Sequence, residues 1–207
     1  MIGLITSCGR HDLLKKTYNS LMHNQAYQFK HFVINEDDAL GASIPLLKDE
    51  KHGFELETRY SLGIGQHASI EKFYKEFVGL YYFHCEDDWE FENSYDWIRA
   101  SIKIMEADDK VIKVLCRKDS QHPCTHDKEI DGIKYGYLEP NWHHEGITWQ
   151  GFSWNPGVTR LDLMRQFVPF RKWEQDVAED IAKAGYKVAE LERKVYTHTG
   201  KGRSTHE

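Results

Sequence analysis

Short apolar runs alternate with amphipathic helical segments through the first 118 residues, and the runs end in polar or acidic residues. This order limits the fold more than any other feature. Strands separated by helices pair in parallel, because each connection must return across a face of the sheet, and such crossovers are right-handed. The fold class expected is therefore α/β, a central, mostly parallel sheet flanked by helices. The first strand is Ile2 to Ser7, followed by a turn through Gly9 and a helix with Asp12 as N-cap. Leu13, Leu14, Tyr18, Leu21 and Met22 form its apolar face. "HFVINEDD" is a second strand. After a polar loop, "GIGQHASIEKFYKEFVGLYYFHCEDD" predicts a glycine-rich turn, a helix from about Ser69 with Ile70, Phe73, Phe77 and Val78 on one face, and a third strand. Ser94 then caps a helix carrying Trp97, Ile98, Ile102 and Met105, and "VIKVLCR" is the next strand. Residues 119 to 150 lack a long periodic segment and are expected to be a loop or short strands folding over the site. A last helix, Trp173 to Ala184, ends at Gly185, where a left-handed C-cap is natural, and "YKVAELE" and "KVYTHTG" follow as short strands.

The 207 residues suffice for one domain with its own core and not for two large ones. The formal net charge of −6 argues against broad nucleic-acid binding, which needs a concentrated basic surface. Cys8, Cys85, Cys116 and Cys124 form no CxxC pair, and buried free thiols in a reducing compartment are expected. No apolar run reaches the roughly 20 residues of a membrane span. A cytoplasmic location is the expectation.

In an open α/β sheet, ligands bind beyond the carboxyl ends of the strands. Ser7 to Arg10, Glu36 to Asp38 and Glu86 to Asp88 all fall at such ends, so three segments are expected to face one crevice. In "YYFHCEDDWEFE" five carboxylates crowd into seven positions, and their repulsion needs water, protons or a cation to relieve it. Carboxylates at a strand end are hard oxygen ligands suited to Mg²⁺ or Mn²⁺. A solvated acidic turn is the competing explanation.

Taken in order, "LITSCGRHDLLKKTYNSL", "VINEDD", "GQHASIEKFYKEFVGLYYFHCEDDWEF", "GFSWNPGVTRL" and "THTGKGRS" resemble family 2-type glycosyltransferases of the GT-A fold, particularly small bacterial and viral members. The resemblance covers most of the chain. It implies a nucleotide-binding half at 1–118 and a sugar and acceptor half with a C-terminal tail at 119–207. It implies a nucleotide-sugar donor, with a UDP-sugar expected, a Mn²⁺ or Mg²⁺ cofactor, and hexosyl or pentosyl transfer to an acceptor hydroxyl with inversion. "EDD" stands where the family has its metal-binding DxD motif, with Glu86 replacing the first aspartate and Asp88 as the metal ligand. His198 corresponds to a C-terminal metal ligand. Thr6, Ser7 and Arg10 resemble the nucleotide-binding turn, and Glu36 or Asp37 the acid contacting base or ribose. Gln66 and Ser69 lie near the nucleotide in the same likeness, Asp87 either serves the ribose or only supports the turn, Asn155 lies near the donor sugar, and Lys201 and Arg203 beside the diphosphate. The family's catalytic base sits at the start of a helix that ends in glycine, which implicates Glu174, with Asp176 competing. Favourable placement of acids in a helix first turn explains both without catalysis.

His122, Cys124, His126, His143 and His144 lack the spacing of a four-ligand zinc site and are taken as a His-rich acceptor loop. Two other functions use the same acid cluster or cavity: a metal-dependent nucleotidyltransferase or phosphohydrolase, and a non-catalytic nucleotide-sugar binding module. The acceptor stays open among protein, glycan, small molecule and a modified DNA base.

Overall fold

Alternate side chains of the strands go to opposite faces of one sheet: Ile5, Ile34, Phe83 and Val111 to one, and Leu4, Val33, Tyr82 and Ile112 to the other. That period-two burial makes a three-layer α/β/α sandwich. The computed structural model describes residues 1–38, 53–92, 95–116, 122–144 and 146–202. In chain order, β1 (Ile2–Ser7) leads to α1 (His11–Asn24), then β2 (His31–Glu36), β3 (Glu55–Tyr60), α2 (Gln66–Glu76) and β4 (Tyr81–Glu86). A short β5 (Trp89–Phe91) precedes α3 (Trp97–Ala107), β6 (Val111–Leu115), β7 (Lys128–Ile130) and β8 (Ile133–Tyr137). The hairpin of β9 (Trp142–His144) and β10 (Ile147–Trp149) comes next. Then follow β11 (Gly157–Arg160), α4 (Leu161–Met164), α5 (Glu174–Lys183), β12 (Lys187–Leu191) and β13 (Tyr196–His198).

The central sheet has the order β3-β2-β1-β4-β11-β6-β12-β8-β7. β1 to β4 pair in parallel, β11 runs against both its neighbours, and β6 and β12 therefore share the direction of the first four. The expected mostly parallel sheet is the one observed. α1 and α3 cover one face with Leu14, Tyr18, Leu21, Trp97, Ile98 and Met105. α2 and α5 cover the other with Ile70, Phe73, Tyr74, Val177 and Ile181. α5 stops at Ala184 and the chain turns at Gly185 with φ of 81°, the left-handed conformation that glycine adopts without strain.

Several boundaries differ from the sequence reading. α1 begins at His11 with Arg10 at the cap position, and Asp12 lies inside the first turn, where its charge faces the helix dipole favourably. α2 starts at Gln66 rather than Ser69, and Val78, beyond its end, is 86% exposed. The cap of α3 is Asp96, which accepts from the Arg99 N–H at 3.3 Å, while Ser94 lies outside the described residues. β3 escaped notice because "ELETRY" is polar, as suits an edge strand with one neighbour. Within 119–150, β7 and β8 extend the sheet at the edge opposite β3. β5 and β13 pair in a separate ribbon that brings the C-terminal tail beside the acidic turn.

Gly3 sits inside β1 because the Phe32 ring fills the space a side chain would take; a Cβ there would lie 2.2 Å from it. Phe32 is fully buried and packed edge-on by Tyr18 and Phe29. Gly3→Ala is expected to lower unfolding free energy by about 1–3 kcal/mol in urea denaturation, the usual cost of overpacking. A change within experimental error would mean the ring can move aside.

Candidate active site

The carboxyl ends of β1, β2 and β4 meet at one edge; β2 and β4 contribute acids, and β1 contributes Ser7 and, just beyond it, Arg10. Glu36 is fully buried and turned inward: its Oε1 accepts from the Gly9 N–H at 2.7 Å and the Asp38 N–H at 3.0 Å, and its Oε2 is 2.9 Å from Ser7 Oγ and 3.3 Å from His11 Nε2. The carboxylate shapes the turn between β1 and α1 and is not among the groups lining the adjacent cavity. Asp37 does line that cavity, and its oxygens accept from the backbone N–H groups of Gly63, Ile64 and Gly65 at 2.6–3.0 Å. Gly63 and Gly65 adopt positive φ to present those groups.

The cavity, of about 310 Å³, is lined by Thr6, Ser7, Cys8 and Arg10 from the first strand end, by Asp37 and Asp38, by Gly63, Gly65, Gln66 and Ser69, and by Glu86. Of the residues predicted to surround a nucleotide, Thr6, Ser7, Arg10, Asp37, Gln66, Ser69 and Glu86 are thus brought together. Cys8 and Asp38 join them without having been singled out for contact. The signal was available in their places immediately after the strands. Asn155 falls elsewhere, its N–H donating to Ser153 Oγ at 3.0 Å, and Lys201 is exposed. Arg203 lies outside the described residues.

The three acids of the "EDD" turn have separate surroundings. Glu86 faces the cavity and accepts from Trp89 Nε1 at 2.8 Å and Gln66 Nε2 at 3.1 Å, while burial pushes its carboxyl above the ordinary value. Asp87 is fully buried behind Arg10, whose Nε and Nη2 both donate to it, and Ser7 Oγ is 2.9 Å from its Oδ2. Burial pushes Asp87 up to about 6 against the pull of Arg10. Asp88 Oδ2 receives Arg10 Nη1 at 2.9 Å and sits 3.2 Å from His198 Nε2. Thr17 of α1 braces the turn, donating to the Asp87 carbonyl at 2.7 Å and accepting from the Trp89 N–H at 3.0 Å. One guanidinium therefore offsets the repulsion between Asp87 and Asp88, and Lys16 pairs with Glu90.

The tail closes over this turn. The Thr199 N–H donates to the Asp88 carbonyl at 2.8 Å, and the His198 ring lies tilted against Trp89 with ring centroids 4.6 Å apart. Gly200 packs so closely that a Cβ would lie 2.3 Å from Asp88 Oδ2. Asp88 Oδ2 and His198 Nε2, 3.2 Å apart, are an oxygen and a nitrogen donor of the kinds that hold a divalent cation, and the same oxygen also accepts from Arg10.

At the start of α5 the two candidate bases part company. Asp176 Oδ2 accepts from the Trp173 N–H at 3.1 Å, closing back on the residue before the helix, and its other oxygen is 3.4 Å from Arg171. Glu174 Oε2 instead accepts from the Trp154 N–H at 2.9 Å, which ties it to the segment before β11. Beneath this lies Lys113, fully buried on β6, with Nζ donating to the Ser153 carbonyl at 2.7 Å. Burial lowers its pKa to about 8, with Glu86 and Glu174 pulling the other way. His84, also buried, bridges Thr6 Oγ1 and the Trp154 carbonyl at 3.1 Å each, and burial drops its pKa to about 3, so the ring is neutral. Both were missed in the sequence. A lysine between Ile112 and Val114, and a histidine inside "YYFHC", were polar interruptions of core strands and could have marked the site.

His122 and His144 both pack on the Trp142 ring with centroids 4.8 Å apart, while Cys124 and His126 lie beside Glu190. His143 Nδ1 meets Thr148 Oγ1 at 2.9 Å across the β9–β10 hairpin, and His122 meets the Glu139 carbonyl at 2.8 Å. All four cysteines are free thiols, with Cys85 and Cys116 buried. Among the described residues, no helix is long and apolar enough to cross a membrane.

No family model matches the chain, and a search of curated proteins returns no match. The fold, by contrast, matches solved structures of Staphylococcus aureus TarS. Residues 1–349 of that protein superpose with a TM-score of 0.64 at 12% identity, covering 96% of this chain and 60% of that one. The same region in complex with UDP-GlcNAc gives 0.63 at 12% identity over 98% of this chain and 61% of that one. In complex with UDP it gives 0.60 at 10% identity over 94% and 59%. The chain thus spans about 60% of the length of these structures. At such identity the likeness is one of fold, and the fold is GT-A.

Proposed function

We propose that the protein is a metal-dependent glycosyltransferase that moves a sugar from a nucleotide-sugar, with UDP-sugars the first donors to test, to an acceptor hydroxyl with inversion. The observation that carries this reading is the approach of Asp88 Oδ2 and His198 Nε2 to 3.2 Å, next to an Arg10 that also lines the strand-end cavity. TarS, which shares the fold, is solved with UDP and with UDP-GlcNAc, which supports a nucleotide-sugar donor.

Asp88 and His198 are assigned to hold Mn²⁺ or Mg²⁺, which when bound stabilises negative charge on the departing diphosphate. Asp37, Asp38, Gln66 and the backbone around Gly65 offer acceptors and donors to a base and ribose. Arg10 and Lys201 supply positive charge for phosphate oxygens, as does Arg203 by the family likeness. Glu174 takes the proton of the acceptor hydroxyl as its oxygen bonds the anomeric carbon. The bond from that carbon to the diphosphate oxygen breaks, and the nucleotide diphosphate leaves with the electron pair. Lys113, through Ser153, steadies the backbone that hydrogen-bonds Glu174.

Incubation with UDP-sugars and Mn²⁺ should release UDP by slow donor hydrolysis, and the donor should raise the melting temperature only with the metal present. Release of pyrophosphate or monophosphate would replace this reading with a nucleotidyltransferase or phosphohydrolase. Binding without release on any acceptor would leave a binding module.

A further inference from the structure

A second group of ligand-type side chains meets on the other half of the sheet. Cys124 lies in an isolated bridge with Leu138, His126 follows two residues later, and Glu190 belongs to β12. Their sulfur, ring nitrogen and carboxylate oxygen all lie within 4.8 Å of one another. Glu190 is only 4% exposed between the buried Ala189 and Leu191, and its Oε1 is 3.4 Å from His126 Nε2. Glu190 thus presents a buried oxygen donor beside the His126 nitrogen, a pair of the kinds that coordinate a transition-metal cation.

The neighbouring strand is built to admit this group. Gly136 on β8 pairs with Glu190 in register. A Cβ on Gly136 would lie 2.1 Å from the Thr125 carbonyl oxygen and 2.9 Å from Cys124 Sγ. Glycine at that position lets the Cys124–His126 segment descend onto the sheet beside the carboxylate. The Cys-x-His spacing alone offered too few ligands for zinc, because the third comes from a distant strand.

We propose that Cys124, His126 and Glu190 form a Zn²⁺ site separate from Asp88 and His198, with a fourth position open to water. Thiolate and imidazole suit Zn²⁺ better than Mg²⁺ or Mn²⁺, which prefer oxygen. Zinc bonds of about 2.0–2.3 Å in tetrahedral array place ligands roughly 3.3–3.7 Å apart, a modest contraction of the present cluster. Binding releases the Cys124 thiol proton to solvent and pins the segment before β7 to β12. The site stands or falls independently of the glycosyltransferase reading.

The test is titration of the chelator-treated full-length chain with Co²⁺. One equivalent should produce thiolate-to-cobalt charge-transfer absorption in the near ultraviolet, and Zn²⁺ should bleach it. Cys124→Ser should abolish that band, whereas Cys8→Ser and Asp88→Asn should keep it. His126→Asn and Glu190→Gln should each weaken Co²⁺ binding at least about tenfold, as even outer-shell changes do at metal sites. Circular dichroism of each variant establishes that it folds. No band from wild type at saturating Co²⁺, a band that survives Cys124→Ser, or one lost in Cys8→Ser would overturn the proposal. So would unchanged affinity in folded Glu190→Gln and His126→Asn.

Discussion

Glu174→Gln is expected to lower turnover by roughly 10²–10⁴-fold while leaving the dissociation constant of the nucleotide-sugar within about twofold of wild type. The substitution keeps the shape of the side chain and an oxygen for the Trp154 N–H, so the local backbone should hold. What it removes is the capacity to accept a proton. Asp176→Asn provides the contrast, because Asp176 is already engaged with the Trp173 N–H and Arg171 at the helix start. Its cost should be at most about 1 kcal/mol of stability from the negative charge lost at the helix start, with turnover nearly retained. Single-turnover rates and donor binding measured on both variants decide the matter. Equal losses in the two, or full activity in Glu174→Gln, would take the base assignment away from Glu174.

Asp88→Asn is expected to abolish metal-dependent transfer and the gain in nucleotide binding that Mn²⁺ provides. His198→Ala should weaken Mn²⁺ by at least about tenfold and be partly rescued by high metal. Arg10 sharpens the comparison, since its guanidinium bonds both Asp87 and Asp88. Removing the Asp88 charge leaves Arg10 with Asp87, so the turn should stay folded and the defect should appear in metal titrations rather than in the melting temperature. Gly200→Ala probes the same contact without altering any ligand, because the added carbon would press on Asp88 Oδ2. It should mimic His198→Ala. Wild-type Mn²⁺ affinity in both Asp88→Asn and His198→Ala would place the cation elsewhere.

The parallel sheet was legible because its strands are apolar runs with helices between them, and Leu4/Ile5 or Tyr82/Phe83 could sort to two faces without knowledge of any partner. The convergence of Ser7, Asp37 and Glu86 was legible for the same reason, since chain direction alone puts those ends together. Other parts were hidden by long-range effects. β3 is polar and becomes a strand only by pairing with β2. The difference between Glu174 and Asp176 depends on Trp154, which reaches the helix start through tertiary packing. Glu36 looked equivalent to Asp37 until the strand's alternation turned it under the first loop. The grouping of Cys124 with Glu190 required the register of β8 against β12.

The pairing of β13 with β5 also sets an order on biogenesis. Asp88 emerges during synthesis well before His198, and the ribbon that unites them spans more than a hundred residues of intervening chain. Contacts so distant in sequence close late, after the local βα units have formed. Arg10, made before Asp87 and Asp88, is in place to neutralise the acids throughout that interval. The acidic turn is thus paired with Arg10 through contacts of the first half of the sheet, and the Asp88–His198 contact is completed only by the last ribbon.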